Sequence, residues 1–181
     1  MKELSLNVLD IAENSFKAKA SLVEIILDEN DIHLTMTVRD DGCGMDEETV
    51  KSVLDPFYTT RTTRKVGLGL PLLKMAAEQT GGSVTVSSQT DKGDGVHGTE
   101  VCAVFNKTHL DYTPLGDVAE TVVTLIQGHP ETEMLFQHSK NGKTVLLDTR
   151  QLRAVLGDVP LNVYEVITWI REYLREQYES F

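Results

Sequence analysis

Positive charge is scarce in this sequence relative to negative. Seventeen Lys and Arg stand against 28 Asp and Glu, a formal net charge of -11 with a pI of about 4.8. Binding along a phosphate backbone needs clustered cations. A nucleic-acid surface spread over the molecule is therefore excluded, and any bound polyanion must meet a local positive site or a metal. The two cysteines, Cys43 and Cys102, make neither a disulfide framework nor a zinc pattern. No apolar run approaches the roughly 18 residues of a membrane span. The opening MKELSLNVLDIAENSF carries Glu3, Asp10 and Glu13 where a signal peptide would be apolar. These absences lead to the expectation of a soluble cytoplasmic protein with reduced thiols and neither a nucleic-acid nor a membrane partner. What is present is ordinary globular composition, 40% hydrophobic and 25% charged over 181 residues, enough for one domain with an appendage.

Hydrophobic spacing predicts a helix over 4–18 and strands over 21–28 (SLVEIILD) and 32–39 (IHLTMTVR), joined by a turn. Asp46 has the character of a helix N-cap. LPLLKMAAEQT reads as a helix ended by Gly81-Gly82, and SVTVSSQ and GTEVCAVF as a hairpin. After Phe105 the texture changes. A linker (NKTHLDYTP) leads to a helix (LGDVAETVVTLIQGH), then to a hairpin turning at Asn141-Gly142, then to an amphipathic helix (LNVYEVITWIREYLREQ). Helices and antiparallel strands in this mixture define an α+β class.

Three stretches carry chemistry. On the first helix Glu3, Asn7, Asp10, Asn14 and Lys17 recur at steps of four and three, which places them on one face. A solvated helix side is the bland reading. Yet an Asn carbonyl is a hard ligand suited to Mg²⁺, and Lys is a point-charge phosphate binder. The stretch RDDGCGMDEE sets two glycines one residue apart among carboxylates, a spacing that suggests a close approach to the backbone. KVGLGLPLLK places Gly67 and Gly69 at a helix start, where free backbone N–H groups form an anion site. Just upstream, Arg61, Arg64 and Lys65 among four threonines form the one local concentration of positive charge, a composition that can fold over a polyphosphate.

In order and spacing these pieces resemble the nucleotide-binding fold shared by gyrase, Hsp90, histidine kinases and MutL, the GHKL or Bergerat fold. ENSFKAKA looks like its N box, DDGCGMD its first glycine box, DPFYTT the phenylalanine box of histidine kinases, GLGL their second glycine box, and Gly98-Thr99 the final Gly-Thr motif. The resemblance covers roughly the first 105 residues. It implies a two-layer α/β sandwich over 1–106, and the helix, hairpin and helix read beyond it make a small α/β appendage over 107–181. It also implies ATP and Mg²⁺ as ligands. Asp40 would accept the adenine amine, an ionised carboxylate being acceptor-only. Gly42, Gly44 and Met45 would pack the loop against the base, and Thr99 would sit beneath it. Asn14 would hold Mg²⁺ and Lys17 would offset phosphate charge. Gly67, Leu68, Gly69 and Leu70 would bring backbone N–H groups to the phosphates. Phe57 and Thr60 would belong to the lid, although Phe57 reads equally as a core aromatic.

Family members differ one helical turn before the Asn, where ATPases and anti-sigma kinases commonly carry a Glu base. Here the position holds Asp10, a methylene shorter, which reads either as a general base or as a solvated carboxylate. Glu13 points about 100° away around the helix. None of His33, His97, His109, His129 or His138 is followed by an acid, and few residues precede the N box. Autophosphorylation on His within this chain is therefore not expected. The organisation is similar to stand-alone anti-sigma kinases, implying a partner protein as substrate. The alternative is a non-catalytic module whose partner affinity is gated by ATP. In the last helix Val163, Val166, Ile167, Ile170 and Leu174 form an apolar stripe beside Trp169, which would pack on the hairpin, bind a partner or make a homodimer.

Overall fold

The structure, a computed structural model, describes residues 3–55 and 68–181. Helix α1 (Ser5–Lys17) leads into strands β1 (Leu22–Glu29) and β2 (His33–Asp40). Two helices follow, α2 (Glu47–Ser52) and α3 (Gly69–Gln79), then strands β3 (Ser83–Gln89) and β4 (Gly98–Asn106). The remainder is α4 (Val118–Gly128), β5 (Glu133–Lys140), β6 (Lys143–Asp148), α5 (Thr149–Leu156) and α6 (Tyr164–Glu179).

Among the described residues the strands form one mixed sheet in the order β3-β4-β2-β1-β5-β6. Every pairing is antiparallel except β1 with β5, which is parallel. Alternation decides the layers. Val23, Ile25 and Leu27 of β1 point to one face with Leu34, Met36 and Val38 of β2 and Val101, Ala103 and Phe105 of β4. Helices α1, α3, α4 and α6 bury that face through Val8, Ile11, Leu73, Val122, Ile126, Ile170 and Leu174. The opposite face carries the polar residues of the alternation. There Glu24, Arg39 and Glu100 stand abreast on three neighbouring strands, with ion pairs of 3.3 and 2.7 Å. This is the two-layer α+β sandwich expected from the resemblance.

Two points differ from the sequence reading. Asn7, placed on the polar stripe of α1, is only 1% exposed and its carboxamide has no hydrogen-bond partner among the described residues. It faces a small hollow against Leu72, Met75 and Ala76 of α3, so packing of α3 on α1 overrides the stripe there. Helix α5 was not expected. Its start is signalled by Asp148, whose side chain accepts from the Arg150 amide at 3.0 Å, and its end by Gly157 at φ 62°.

Residues 107–181 continue the same sheet rather than sitting apart from it. Strand β5 runs beside β1 over its whole length, with Val23 opposite Met134 and Ile25 opposite Phe136. At the far end Glu29 meets Lys107 at 2.7 Å, Lys140 at 3.4 Å and buried His138 at 3.3 Å. His138 Nδ1 lies 2.8 Å from the Tyr178 hydroxyl, and its ring packs against Phe181. The C-terminus is thereby fastened to the first strand. The apolar stripe of α6 turns inward onto α4 and β6, while Trp169 remains half-exposed.

Candidate functional site

The candidate site lies at the sheet end where β2 finishes and β4 begins. Asp40 and Thr99 are register partners there. Between them and α1 is a cavity of about 420 Å³, within the range of small-molecule sites. Its floor is Val38, Asp40, Thr99 and Val101, and its helical wall is Ile11, Asn14, Ser15, Lys17 and Ala18. The loop after β2 contributes Cys43, Gly44 and Met45, α2 contributes Thr49 and Val53, and the start of α3 contributes Leu70. Two other hollows are of similar size, one at the start of α4 beside Arg171 and one between α5 and α6. Neither holds a residue singled out for nucleotide, so chemistry rather than volume selects the site.

Asp40 is held from two sides. Its Oδ2 accepts from the Ser15 hydroxyl at 2.6 Å, and its Oδ1 accepts from the Gly42 amide at 2.9 Å. Each carboxylate oxygen keeps further acceptor capacity. Ser15 is 2% exposed, so the carboxylate is oriented by a group that solvent cannot displace. Thr99 Oγ1 lies 2.7 Å from Ser88 Oγ. Ser88 Oγ also receives the Met45 amide at 2.8 Å and reaches the Gly98 carbonyl at 3.0 Å. The arrangement satisfying all three has Thr99 donating to Ser88 and Ser88 donating to Gly98. The Thr99 oxygen then keeps its acceptor capacity for the cavity.

The glycines of the loop answer to the protein's own packing. A Cβ on Gly42 would stand 2.7 Å from the Ala18 Cβ and 2.9 Å from Asp40 Oδ1. Gly44 has φ 70°, and a Cβ there would fall 1.9 Å from the Gln89 carbonyl. The close approach foreseen from the spacing is thus to the end of α1 and to β3. The Cys43 amide adds a 2.9 Å bond to the Ala18 carbonyl. Asp41 fastens the loop to the start of β1. Its carboxylate accepts from the Ser21 amide at 2.7 Å, from the Leu22 amide at 2.9 Å and from the Ser21 hydroxyl. Burial opposes its ionisation, but these hydrogen bonds outweigh burial and hold the carboxyl below the ordinary range. Asp46 caps α2 as expected, accepting from the Thr49 amide at 2.7 Å.

Asn14 and Lys17 are exposed, and neither side chain has a partner among the described residues. Lys17 is thus an uncompensated cation at the cavity wall. Asp10 is not part of the cavity wall. Its Cβ is 3.3 Å from where a Cβ of Gly69 would stand, which puts it beside the first residue of α3. That helix starts at Leu68 and Gly69 with no side-chain cap, and Pro71 has no amide to satisfy. Glu13 is engaged elsewhere, at 3.0 Å from His129 Nε2. Phe57, Thr60 and Gly67 lie outside the described residues. Ser15, Ala18 and Ser88 were not singled out from sequence. Ser15 and Ala18 lie within the ENSFKAKA run, and their spacing from Asn14 was the available signal.

The profile of the family described as histidine kinase-, DNA gyrase B-, and HSP90-like ATPase matches residues 1–109. The chain belongs to that family. Similar proteins include the sensor histidine kinase YvrG of Bacillus subtilis (strain 168), 33% identical over 93 residues, covering 49% of this chain and 15% of that protein. The sensor protein SrrB of Staphylococcus aureus (strain NCTC 8325 / PS 47) is 34% identical over 98 residues, covering 51% of this chain and 17% of that protein. The match thus spans a small part of either relative. Among solved structures, the Aquifex aeolicus MutL ATPase domain complexed with ADP aligns with a TM-score of 0.56 at 17% identity, over 86% of this chain and 69% of that one. The N-terminal domain of a DNA repair protein also gives 0.56, at 16% identity, over 87% of this chain and 58% of that one. These likenesses show the fold, and membership of this ATPase family supports nucleotide binding. Among the described residues no helix is long and apolar enough to cross a membrane.

Proposed function

We propose that the chain binds ATP with Mg²⁺ in the cavity at Asp40 and acts as a protein kinase or ATPase on a partner protein. The observation that carries this reading is the Asp40 carboxylate, oriented from behind by Ser15 and Gly42 with acceptor capacity left over. Such a group suits the exocyclic amine of adenine. Lys17 on the cavity wall and the uncapped start of α3 would then meet the phosphates. The donor set fits Mg²⁺ as well. Among the described residues no cluster of three His, Cys, Asp or Glu could cage a metal, whereas Mg²⁺ in nucleotide sites takes few protein ligands and is completed by phosphates and water. Asn14, with its carboxamide unengaged, would be such a ligand. When bound, the ion supplies charge neutralisation across the phosphates.

Asp10 separates two readings. As general base it would have to reach the terminal phosphate from beside Gly69. Its place beside Gly69, at the helix start toward which phosphates would extend, supports the first reading, while its absence from the cavity wall is what speaks for the second, a non-catalytic module in which ATP shifts affinity for a partner. The experiment is to mix the protein with Mg²⁺ and ATP labelled at the γ-phosphate, with Asp10→Ala and Asp40→Asn alongside. Free phosphate lost in both variants supports an ATPase with Asp10 as base. Intact bound nucleotide lost only in Asp40→Asn supports the switch, or a kinase lacking its substrate. Binding unaffected by Asp40→Asn would overturn both.

A further inference from the structure

Helices α5 and α6 leave an apolar groove on the sheet edge remote from the nucleotide cavity. It measures about 460 Å³ and is lined by Leu152, Val155 and Leu156 of α5 and by Glu165, Val166 and Trp169 of α6. Val155 is 87% exposed and Trp169 48%. Large apolar side chains gathered at one exposed hollow mark an interaction surface more often than isolated ones do.

Charge around the groove selects the occupant. On α6, Glu165, Glu172 and Glu176 fall within about 40° of one another, and Trp169 borders them on the groove side. None of the three carboxylates has an ion pair or hydrogen bond among the described residues. Of the nearby cations, Arg175 lines the hollow at the start of α4 beside Glu120, and the others are engaged. Arg171 binds Glu120 on the α4 side at 2.9 Å, Arg150 binds Asp148, and Arg153 binds Glu133. The rim is therefore an uncompensated acidic ridge beside an apolar slot. A second copy would bring the same carboxylates face to face across a two-fold axis, between chains of net charge -11 each. An anionic membrane surface would be repelled in the same way.

We propose that this groove docks an amphipathic helix of a partner protein that carries Lys and Arg beside its apolar face. The groove is independent of the nucleotide reading, and its test uses no nucleotide. Trp169 is the only tryptophan in the chain and stands in the groove, so its fluorescence reports occupancy directly.

The probe is a synthetic 18-residue peptide with Leu at helical i, i+3, i+4, i+7 spacing and Lys on both flanks. It is titrated into the full chain, with a scrambled peptide of equal composition as control. A saturable blue shift is expected with the patterned peptide and none with the scrambled one. Val155→Glu is the decisive variant because it adds negative charge while blocking the slot. Docking predicts weakening by about tenfold or more, whereas plain charge attraction predicts tightening. The exposed double change Glu165→Lys with Glu172→Lys is expected to weaken binding as well, and so is added salt. Both variants are checked by thermal melt. Four results would each overturn the proposal: no shift with the patterned peptide, equal binding of the scrambled one, tightening by Val155→Glu, or sedimentation showing a dimer that Val155→Glu disperses. A shift produced by lipid vesicles in place of the peptide would likewise assign the groove to a membrane.

Discussion

Single side chains decide how the cavity addresses a ligand. Asp40 is the acceptor in the proposed site, and Ser15 sets its direction through a buried hydrogen bond of 2.6 Å. Removing that hydroxyl leaves the carboxylate in place with one oxygen free to swing. Hydrogen bonds to charged groups contribute about 1.5–3 kcal/mol. Ser15→Ala is therefore expected to weaken ATP binding by about tenfold while leaving the fold intact, as calorimetry and a thermal melt would show. An unchanged affinity would mean that the Gly42 amide alone orients Asp40. Asp41, its neighbour, serves the fold. Its carboxyl is depressed below the ordinary value of 3.8 because the hydrogen bonds from Ser21 and Leu22 outweigh burial. A depressed acid contributes stability above its unfolded value and loses it as pH falls through the folded one. Asp41→Ala is thus expected to cost about 2 kcal/mol at pH 7, a gap that closes as urea titrations move below about pH 4. A gap that stayed constant with pH would assign the loss to packing.

At the scale of elements, the loop after β2 is the moving question. It is pinned to α1 through Cys43 and Ala18, to β3 through Ser88, and to the β3–β4 turn through His97, whose Nδ1 lies 2.7 Å from the Gly42 carbonyl. That bond, with Asp91 and Asp41 nearby, raises the imidazole above its ordinary 6.5. A raised base contributes fully below its unfolded value and loses its contribution as pH rises through the folded one. The ratio of ATP affinities between the wild type and His97→Ala is accordingly expected to exceed one at pH 6 and to approach one by pH 8.5. Taking the ratio removes the titration of ATP itself. A ratio that did not change with pH would show that the neutral ring suffices.

Much of this architecture was legible in the residues. Alternation in IHLTMTVR and GTEVCAVF placed β2 and β4, Asn141-Gly142 marked the β5–β6 turn, and DDGCGMD marked the loop. What was not legible depends on contacts distant in sequence. The parallel pairing of β1 with β5 joins residues about 110 apart, and no local pattern encodes it. Asn7 has the spacing of a solvated residue and is buried only because α3 crosses it. The glycine spacing signalled a close approach, read from sequence as one to a base. The glycines' neighbours, Ala18 and the Gln89 carbonyl, could be identified only once the chain had folded.

At the scale of the whole molecule, the family profile ends at residue 109, but the core does not. Helix α4 brings Val118, Val122, Val123, Leu125 and Ile126 into it, and β5 brings Met134 and Phe136, all nearly fully buried. They cover α1 and the edge of β1, and the Glu29 cluster with Lys140, His138 and Tyr178 fastens the far end. Burying one such side chain contributes about 1.5–3 kcal/mol, and a domain is stable by only about 5–15 kcal/mol. Seven of them together are of the same size as that margin, before the entropy of ordering their segment is counted. A chain cut after residue 109 is therefore expected to lose cooperative unfolding, to bind a hydrophobic dye and to show no ATP affinity, although Asp40, Asn14 and Lys17 are all retained. Calorimetry on the truncated and full chains, side by side, decides it. A cooperative melt with ATP affinity intact in the short form would make residues 110–181 a separable appendage. Their loss would make the cavity at Asp40 and the apolar groove two sites on one folding unit.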